Sequence, residues 1–391
     1  MDIIVKKFGG KLLASIPKIQ QIAKNVAQEA RQGEKIVVVV SAMGDTTEQL
    51  ITLSKLITDT PPKREYDALL ASGEQAAMSL FAMALSAAEC PVKFYTGFQA
   101  KILTKKMRHV TDIVNIDTKA ILKDLRLNRV VVVAGFQGVD IKGNITTLGR
   151  GGSDLTAVAL AAFLHATSCE IYKDTGGVYS IDPHRISNSY LIPFVTYDEM
   201  LAISNAGASL LQAQAVKLAK AKNVRIHIMD GEKNQCGTVI SADRHRQNGY
   251  FYSMVEDNAH VFAQLKENIA HLHVDQEALA YMKANHLNCK IIKTITHHYY
   301  LSLLSRDLDK IKSQTFFKYC FHKNLFKKLS VISDHVDVVL AAYKKNMPAD
   351  LLTRIEIFKN HKKNIITFFI RSNDCNSIIE KMHLNFQEKT A

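Results

Sequence analysis

The feature that most constrains this chain is a pair of short runs containing no polar residue. Ile36 to Val40 is β-branched throughout, and Val130 to Ala134 repeats the pattern. A strand of this kind has no face left for water, so it belongs to a parallel sheet covered on both sides. The neighbouring segments supply the covers. Ile16, Ile19, Ile22, Val26 and Ala30 recur at helical spacing after a strand, Ile3 to Phe8, that ends at Gly9-Gly10. Val92 to Tyr95 reads as a further strand, and Asp154 to His165 as a helix. The strand Cys169 to Tyr172 leads into a glycine-rich turn, and a helix over Ala208 to Ala221 precedes the strand Val224 to Met229. Such alternation predicts an α/β fold, a mainly parallel sheet sandwiched by helices.

The chain has 391 residues, more than one hydrophobic core usually serves. A boundary is expected near residue 245, giving domains 1–245 and 246–391. Beyond residue 250 glycine is absent, while histidine and aromatic residues become frequent. Two stretches there read as repeats of a βαβ-type unit. One runs through Ala270 to Val274, the helical Gln276 to His286, and the strands Cys289 to Ile295 and Tyr299 to Leu304. The other runs through Val336 to Tyr343, the helical Ala349 to Phe358, the strand Asn364 to Ile370 and a closing helix. Units of this size suit a small α+β, ferredoxin-like module.

No apolar run reaches the roughly 20 residues of a membrane span, and Met1 to Val5 reads as a strand rather than a leader. Six scattered cysteines form no Cys-x-x-Cys pair, so reduced thiols in a cytoplasmic protein are expected and a metal site is not. His297-His298 is a poor metal pair, because adjacent strand residues face opposite ways. The net charge of +13 is dispersed along the chain, which argues against nucleic acid and membrane as partners.

Three glycine-bearing loops follow expected strands: Lys7-Phe8-Gly9-Gly10, Ser41-Ala42-Met43-Gly44-Asp45-Thr46-Thr47, and Gly135-Phe136-Gln137-Gly138. Open α/β sheets bind ligands at such strand ends. Glycines there let backbone N–H groups approach phosphate, and Lys7 is suited to neutralise it. The densest segment is Thr146-Thr147-Leu148-Gly149-Arg150-Gly151-Gly152-Ser153-Asp154. Arg150 can grip a carboxylate bidentately. Ser153 is either a helix cap or a ligand group, and Asp154 suits a first helical turn. Glu74, in Ser72-Gly73-Glu74, is either a first-turn glutamate or an acceptor for a substrate ammonium. Neither a Walker A motif nor the His-Arg-Asp and Asp-Phe-Gly kinase set is present.

In order and spacing these segments, together with Tyr197-Asp198-Glu199-Met200, resemble the aspartokinase motifs over roughly residues 2 to 240. The resemblance implies phosphorylation of the side-chain carboxylate of L-aspartate by Mg-ATP, the amino acid kinase fold, and two C-terminal ACT-type regulatory units. It further implies a homodimer or higher homo-oligomer, with aspartate and ATP as small-molecule partners and Mg2+ as cofactor. Lys7 and Asp154 are implied to be catalytic, Asp154 orienting Lys7. Ser41, Thr47, Glu74, Arg150, Gly151, Gly152 and Ser153 are implied to position aspartate. Lys7, Phe8, Gly9, Gly10, Lys173, Asp174, Tyr179, His184 and Ser209 fall where the family holds nucleotide. Several positions differ from the family: Lys11-Leu12 stands for Thr-Ser, Lys173 for Thr, His184 for Arg and Ser209 for Lys. Lys11 is expected to compensate for the cation absent at Ser209. The alternatives are a non-catalytic homologue that binds an amino acid or a partner subunit, and a kinase for another substrate.

Overall fold

A computed structural model describes residues 2–107, 110–242, 252–256, 260–265, 289–293, 299–304, 321–333, 337, 341, 355–360, 365–371 and 375–390. The first part of the chain runs β1 (Ile3–Phe8), α1 (Ile16–Arg31), β2 (Lys35–Val40), α2 (Thr46–Ile57), α3 (Lys63–Ala87), β3 (Val92–Tyr95), β4 (Ile102–Met107) and β5 (Val110–Ile116). It continues through α4 (Lys119–Arg126), β6 (Val130–Ala134), β7 (Gln137–Val139), β8 (Ile145–Thr147), α5 (Gly152–Phe163), β9 (Ser168–Lys173), β10 (Val178–Tyr179) and β11 (Leu191–Ile192). β12 (Phe194–Thr196), α6 (Tyr197–Ala206), α7 (Ala213–Lys222), β13 (Ile226–Asp230) and β14 (Gln235–Ser241) complete it.

Both apolar runs are strands, and residues 36–40 and 130–134 are at most 1% exposed. The central sheet has the order β12-β14-β13-β9-β1-β2-β6-β3. Its pairs are parallel except β13 with β14. One face packs Ile36, Val38, Val40, Val130 and Val132 against Ile19, Val26, Ala77, Met78, Phe81 and Leu85 of α1 and α3. The other face lies against α5, which touches β1, β2 and β9. With α1 and α3 on one side and α5 on the other, the sheet is sandwiched as the sequence predicts. A smaller sheet, β5-β4-β7-β8, was not foreshadowed by the strand reading.

Three boundaries differ from expectation. α3 runs unbroken from Lys63 to Ala87, so Ser72-Gly73-Glu74 is mid-helix rather than a helix start. Gly73 is there for proximity: a Cβ would lie 3.0 Å from Ala42 Cβ and 3.4 Å from a Thr46 methyl. In length and composition α3 passes for a membrane span, but Leu70, Ala77, Met78, Phe81 and Leu85 are buried within the protein. α7 begins at Ala213, with Gln212 as its N-cap, and closes on a left-handed Asn223. At α5 the N-cap is Gly151 (φ 78°), not Ser153, and Asp154 falls in the first turn as expected.

The chain divides into two compact units. The first is Met1–Val178, Leu191–Leu201 and Ser209–His245; the second is Tyr179–Tyr190, Ala202–Ala208 and Arg246–Ala391. The second unit carries β15 (Tyr252–Glu256), β16 (His260–Leu265), β17 (Cys289–Lys293), β18 (Tyr299–Leu304), β19 (Phe321–Ser333), β20 (Ile355–Asn360), β21 (Ile365–Arg371) and α8 (Cys375–Thr390). Its strands form an antiparallel sheet in the order β17-β18-β16-β19-β21-β20, with β15 also pairing to β19. Leu329, Val331, Ile366, Phe368 and Ile370 form its core with Ile378, Ile379 and Met382 of α8. Residues 337 and 341 are helical, not strand, and Ile355–Asn360 is a strand where a helix was expected. Ile355, Glu356 and Ile357 alternate apolar and polar as a strand does, and β20 pairs with β21. The expected elements Ala270 to Val274 and Gln276 to His286 lie outside the described residues.

Candidate active site

β1 and β9 lie side by side at the centre of the sheet, with Lys7 opposite Ile171 and Lys6 opposite Glu170. Side chains alternate along a strand. Lys7, Ile171 and Lys173 therefore face α5, while Lys6, Phe8, Glu170 and Tyr172 face the opposite side.

On the α5 side the Lys7 ammonium lies 2.7 Å from Asp154 Oδ1, and the Lys173 ammonium donates to Asp154 Oδ2 at 2.9 Å. All three are buried or nearly so, Lys173 being the most open at 15%. Burial alone would raise the Asp154 carboxyl, but the Lys173 and Lys7 charges outweigh it and hold the group below its ordinary value. Burial lowers Lys7, and Lys173 adds to this against the opposing pull of Asp154. One carboxylate thus serves two cations and leaves an excess positive charge at the mouth of the sheet.

The loops around this cluster are bonded to one another. The Ser41 N–H donates to Phe8 O at 3.2 Å, and the Gly44 N–H to Gly10 O at 2.9 Å. Glu74 Oε1 accepts the Ala42 N–H at 3.2 Å, while Oε2 is buried without a hydrogen-bond partner. Burial pushes this carboxyl up to about 7, against smaller opposing contributions from the Ala42 N–H and the Lys7 charge. Such an oxygen is a ready acceptor for a ligand ammonium. Ser153 is buried against Gly135, and Ser41 and Thr47 are half-buried. Gly151 and Gly152 open α5, whose N-terminus favours an anion. Arg150 is 91% exposed and rests on Glu48 at 3.0 Å, a residue the sequence reading passed over although it directly follows Thr46-Thr47.

Not all the candidates converge. The Phe8 ring is 4% exposed and packs on Phe81 and Tyr172, so it belongs to the core. Lys11, expected to supply a compensating cation, is 83% exposed and pairs with Asp174 at 2.7 Å. Lys173 is the added lysine that turns inward. Ser209 is exposed, although nearby Gln212 donates to Leu148 O at 3.3 Å. Tyr179 and His184 belong to the second unit, where the Tyr179 carbonyl accepts from Ser253 and the His184 N–H donates to Asp182.

The amino acid kinase family profile matches residues 2–230, more than half of the chain. The chain belongs to the amino acid kinase family. Among curated relatives, the aspartokinase of Bacillus sp. (strain MGA3) is 46% identical over 243 residues, covering 62% of this chain and 59% of that protein. Aspartokinase 2 of Bacillus subtilis (strain 168) is 44% identical over 243 residues, covering 62% of this chain and 60% of that protein. The matched part thus spans about 60% of the length of these relatives. In three dimensions the chain resembles E. coli aspartokinase III in complex with lysine and aspartate, at a TM-score of 0.75 and 19% identity, over 99% of this chain and 100% of that one. The aspartate kinase of Clostridium acetobutylicum aligns at a TM-score of 0.64 and 17% identity, covering 98% and 100%. At these identities the structures attest the amino acid kinase fold. The buried lysine–aspartate–lysine cluster lies within the matched part of the family.

Proposed function

We propose that this amino acid kinase transfers the γ-phosphoryl group of ATP to the side-chain carboxylate of L-aspartate, giving 4-phospho-L-aspartate for the aspartate-derived amino acids. The observation that carries the reading is Asp154, held between Lys7 and Lys173 beside the N-terminus of α5. It supplies two oriented cations where charge develops on a transferring phosphoryl group, the largest contribution such enzymes make. A carboxylate oxygen of aspartate attacks phosphorus as the bond to ADP breaks. That carboxylate is anionic at neutral pH, so no general base is needed.

Glu74 would receive the α-ammonium and Arg150 the α-carboxylate, with Ser41, Thr47, Gly151, Gly152 and Ser153 around them. Gly9, Gly10, Lys173, Asp174 and Ser209 would line the nucleotide. Among the described residues no group of three His, Cys, Asp or Glu side chains surrounds a metal position. Mg2+ would arrive on the nucleotide phosphates, where it would neutralise phosphate charge.

Residues 1–245 would be the kinase domain and 246–391 a regulatory region of two degenerate ACT-like units, pairing in a homodimer. The antiparallel sheet with α8 against it supports this reading. The test is ADP release from Mg-ATP with and without L-aspartate. Aspartate-dependent release is expected, and Arg150→Ala should raise the aspartate requirement on the order of 10²-fold through loss of a charge-assisted carboxylate pair. ADP release indifferent to aspartate in a folded protein would reject the substrate assignment.

A further inference from the structure

The face of β1 and β9 turned away from α5 encloses a second, separate arrangement of charge. A cavity of about 330 Å³ opens between β1, β9, α1 and the turn after β13. The Lys6 ammonium lies 2.9 Å from Oε2 of Glu29, which lines the cavity with it, and 2.8 Å from Oε2 of Glu170, which is outside the lining. The Tyr172 hydroxyl also donates to Glu170 Oε2, at 2.9 Å. These contacts converge on the two Oε2 atoms, so the single Lys6 cation is shared between two carboxylates. One lysine against two glutamates leaves the buried group a negative charge in excess, and Glu232 adds another carboxylate to the lining. The remaining wall is apolar or neutral: Phe8, Ile22, Val26 and the Tyr172 ring, with Gln21, Asn25 and Asn234.

We propose that this cavity is a binding site for a small aliphatic ammonium ligand, a primary amine or diamine, held by Glu29 and Glu232 with its chain along Phe8, Ile22 and Val26. The charge decides the class. Removing a net carboxylate charge from water is costly unless a cation or hydrogen bonds meet it, and Lys6 meets only one of two. An anionic ligand would face the Glu29 and Glu232 carboxylates and one ammonium already shared with Glu170. A neutral apolar one would leave the lining carboxylates without a further counter-charge. The chain as a whole carries +13, so it repels small cations in general, and an amine that binds must do so at a local site of opposite sign. The cavity also adjoins the catalytic face through the main chain. Lys6 and Phe8 flank Lys7, Tyr172 precedes Lys173, and the Gly231 N–H donates to Lys173 O at 2.9 Å. An occupant would therefore touch the residues on either side of Lys7 and the one before Lys173.

The test is calorimetric titration of 1,4-diaminobutane into the full chain at pH 7, with 1,4-butanediol as the isosteric neutral control. Saturable binding of the diamine and none of the diol is expected. Glu29→Gln, on α1 at 22% side-chain exposure, should weaken the diamine at least tenfold while the melting curve keeps its shape. Lys6→Met should strengthen it at least threefold, because the ligand ammonium then takes the place of the lysine. Lys6→Met also guards against misfolding, since a gain in affinity requires a folded cavity. Diol binding equal to the diamine, an unchanged affinity in Glu29→Gln, or no diamine binding by the parent would each overturn the proposal.

Discussion

At the scale of single residues, the two buried carboxylates of the site titrate in opposite senses. Asp154 is held below its ordinary value once the two lysine charges outweigh its burial, and it is ionised at pH 7. Asp154→Asn would leave Lys7 and Lys173 facing each other with no anion. Breaking a buried pair in this way costs about 3–5 kcal/mol. The Lys7 ammonium, already lowered by burial, would lose the opposing pull of Asp154 in the variant, so the unfolded state binds more protons and stability rises with pH. Chemical denaturation should show the largest loss near pH 7 and partial recovery toward pH 10; a loss independent of pH would count against the clasp. Glu74 is raised, to about 7, chiefly by burial. Between its ordinary value near 4.3 and that value the folded state binds the extra proton, so this group's contribution falls as pH rises through the window and levels off above it. Glu74→Gln removes the slope. Its stability relative to the parent should climb between about pH 4.3 and 7 and then stay constant, which melting curves at a series of pH values would show. If Glu74 meets a ligand ammonium, aspartate binding at pH 7 should also release protons, seen as calorimetric heats that depend on the buffer.

At the scale of elements, the site is fixed by how closely strands and helix starts approach. A Cβ on Gly135 would lie 2.8 Å from Ser153 Cβ and Oγ and 2.9 Å from Val40 O. The obstacle is the start of α5 on one side and β2 main chain on the other, and neither is a flexible side-chain end. Gly135→Ala should cost about 1–3 kcal/mol in stability, as overpacking does, and at least tenfold in aspartate turnover because Ser153 and Asp154 move with the helix. A steady-state assay beside a melting curve separates the two effects. Gly135 also marks the limit of what the sequence discloses. Strand ends with glycine, and runs with no polar residue, are legible because double-sided burial leaves a continuous β-branched signal. The mid-helix place of Glu74 is not, since Gly73 reads locally as a helix breaker and its reason lies in Ala42, far along the chain. The inward turn of Lys173 and the outward one of Lys11 follow from the β1–β9 register and a loop path, neither of which leaves a local pattern. Lys6 and Lys7 look alike in sequence, yet strand parity sends them to opposite faces and different partners.

At the scale of the whole molecule, the division into two units does not follow the chain. The composition shift near residue 250 suggests a single cut, but Tyr179–Tyr190 and Ala202–Ala208 pack with the later part. Ile181 is 4% exposed within the core of β19, β21 and α8, with Ile186 and Tyr190 packed against it. Ser180 supports the same placement. Its hydroxyl lies 3.0 Å from His383 Nε2 and accepts the Tyr190 N–H at 3.1 Å, and its carbonyl accepts the Met254 N–H at 2.7 Å. A fragment ending at residue 245 would keep every strand of the eight-stranded sheet yet strip this segment of its partners. Full burial of an isoleucine is worth about 1.5–3 kcal/mol, and the lost hydrogen bonds contribute about 1 kcal/mol each. The fragment should therefore fold with 179–190 released, and the exposed Arg185 peptide should be cut by trypsin at least tenfold faster than in the full chain. In the intact protein Arg185 is paired with Glu256 and Asn376, both within the second unit, which restrains that bond. Mass analysis of a brief digest would locate the cut. Equal cleavage rates at Arg185 in fragment and full chain would mean that the segment is held by the first unit alone.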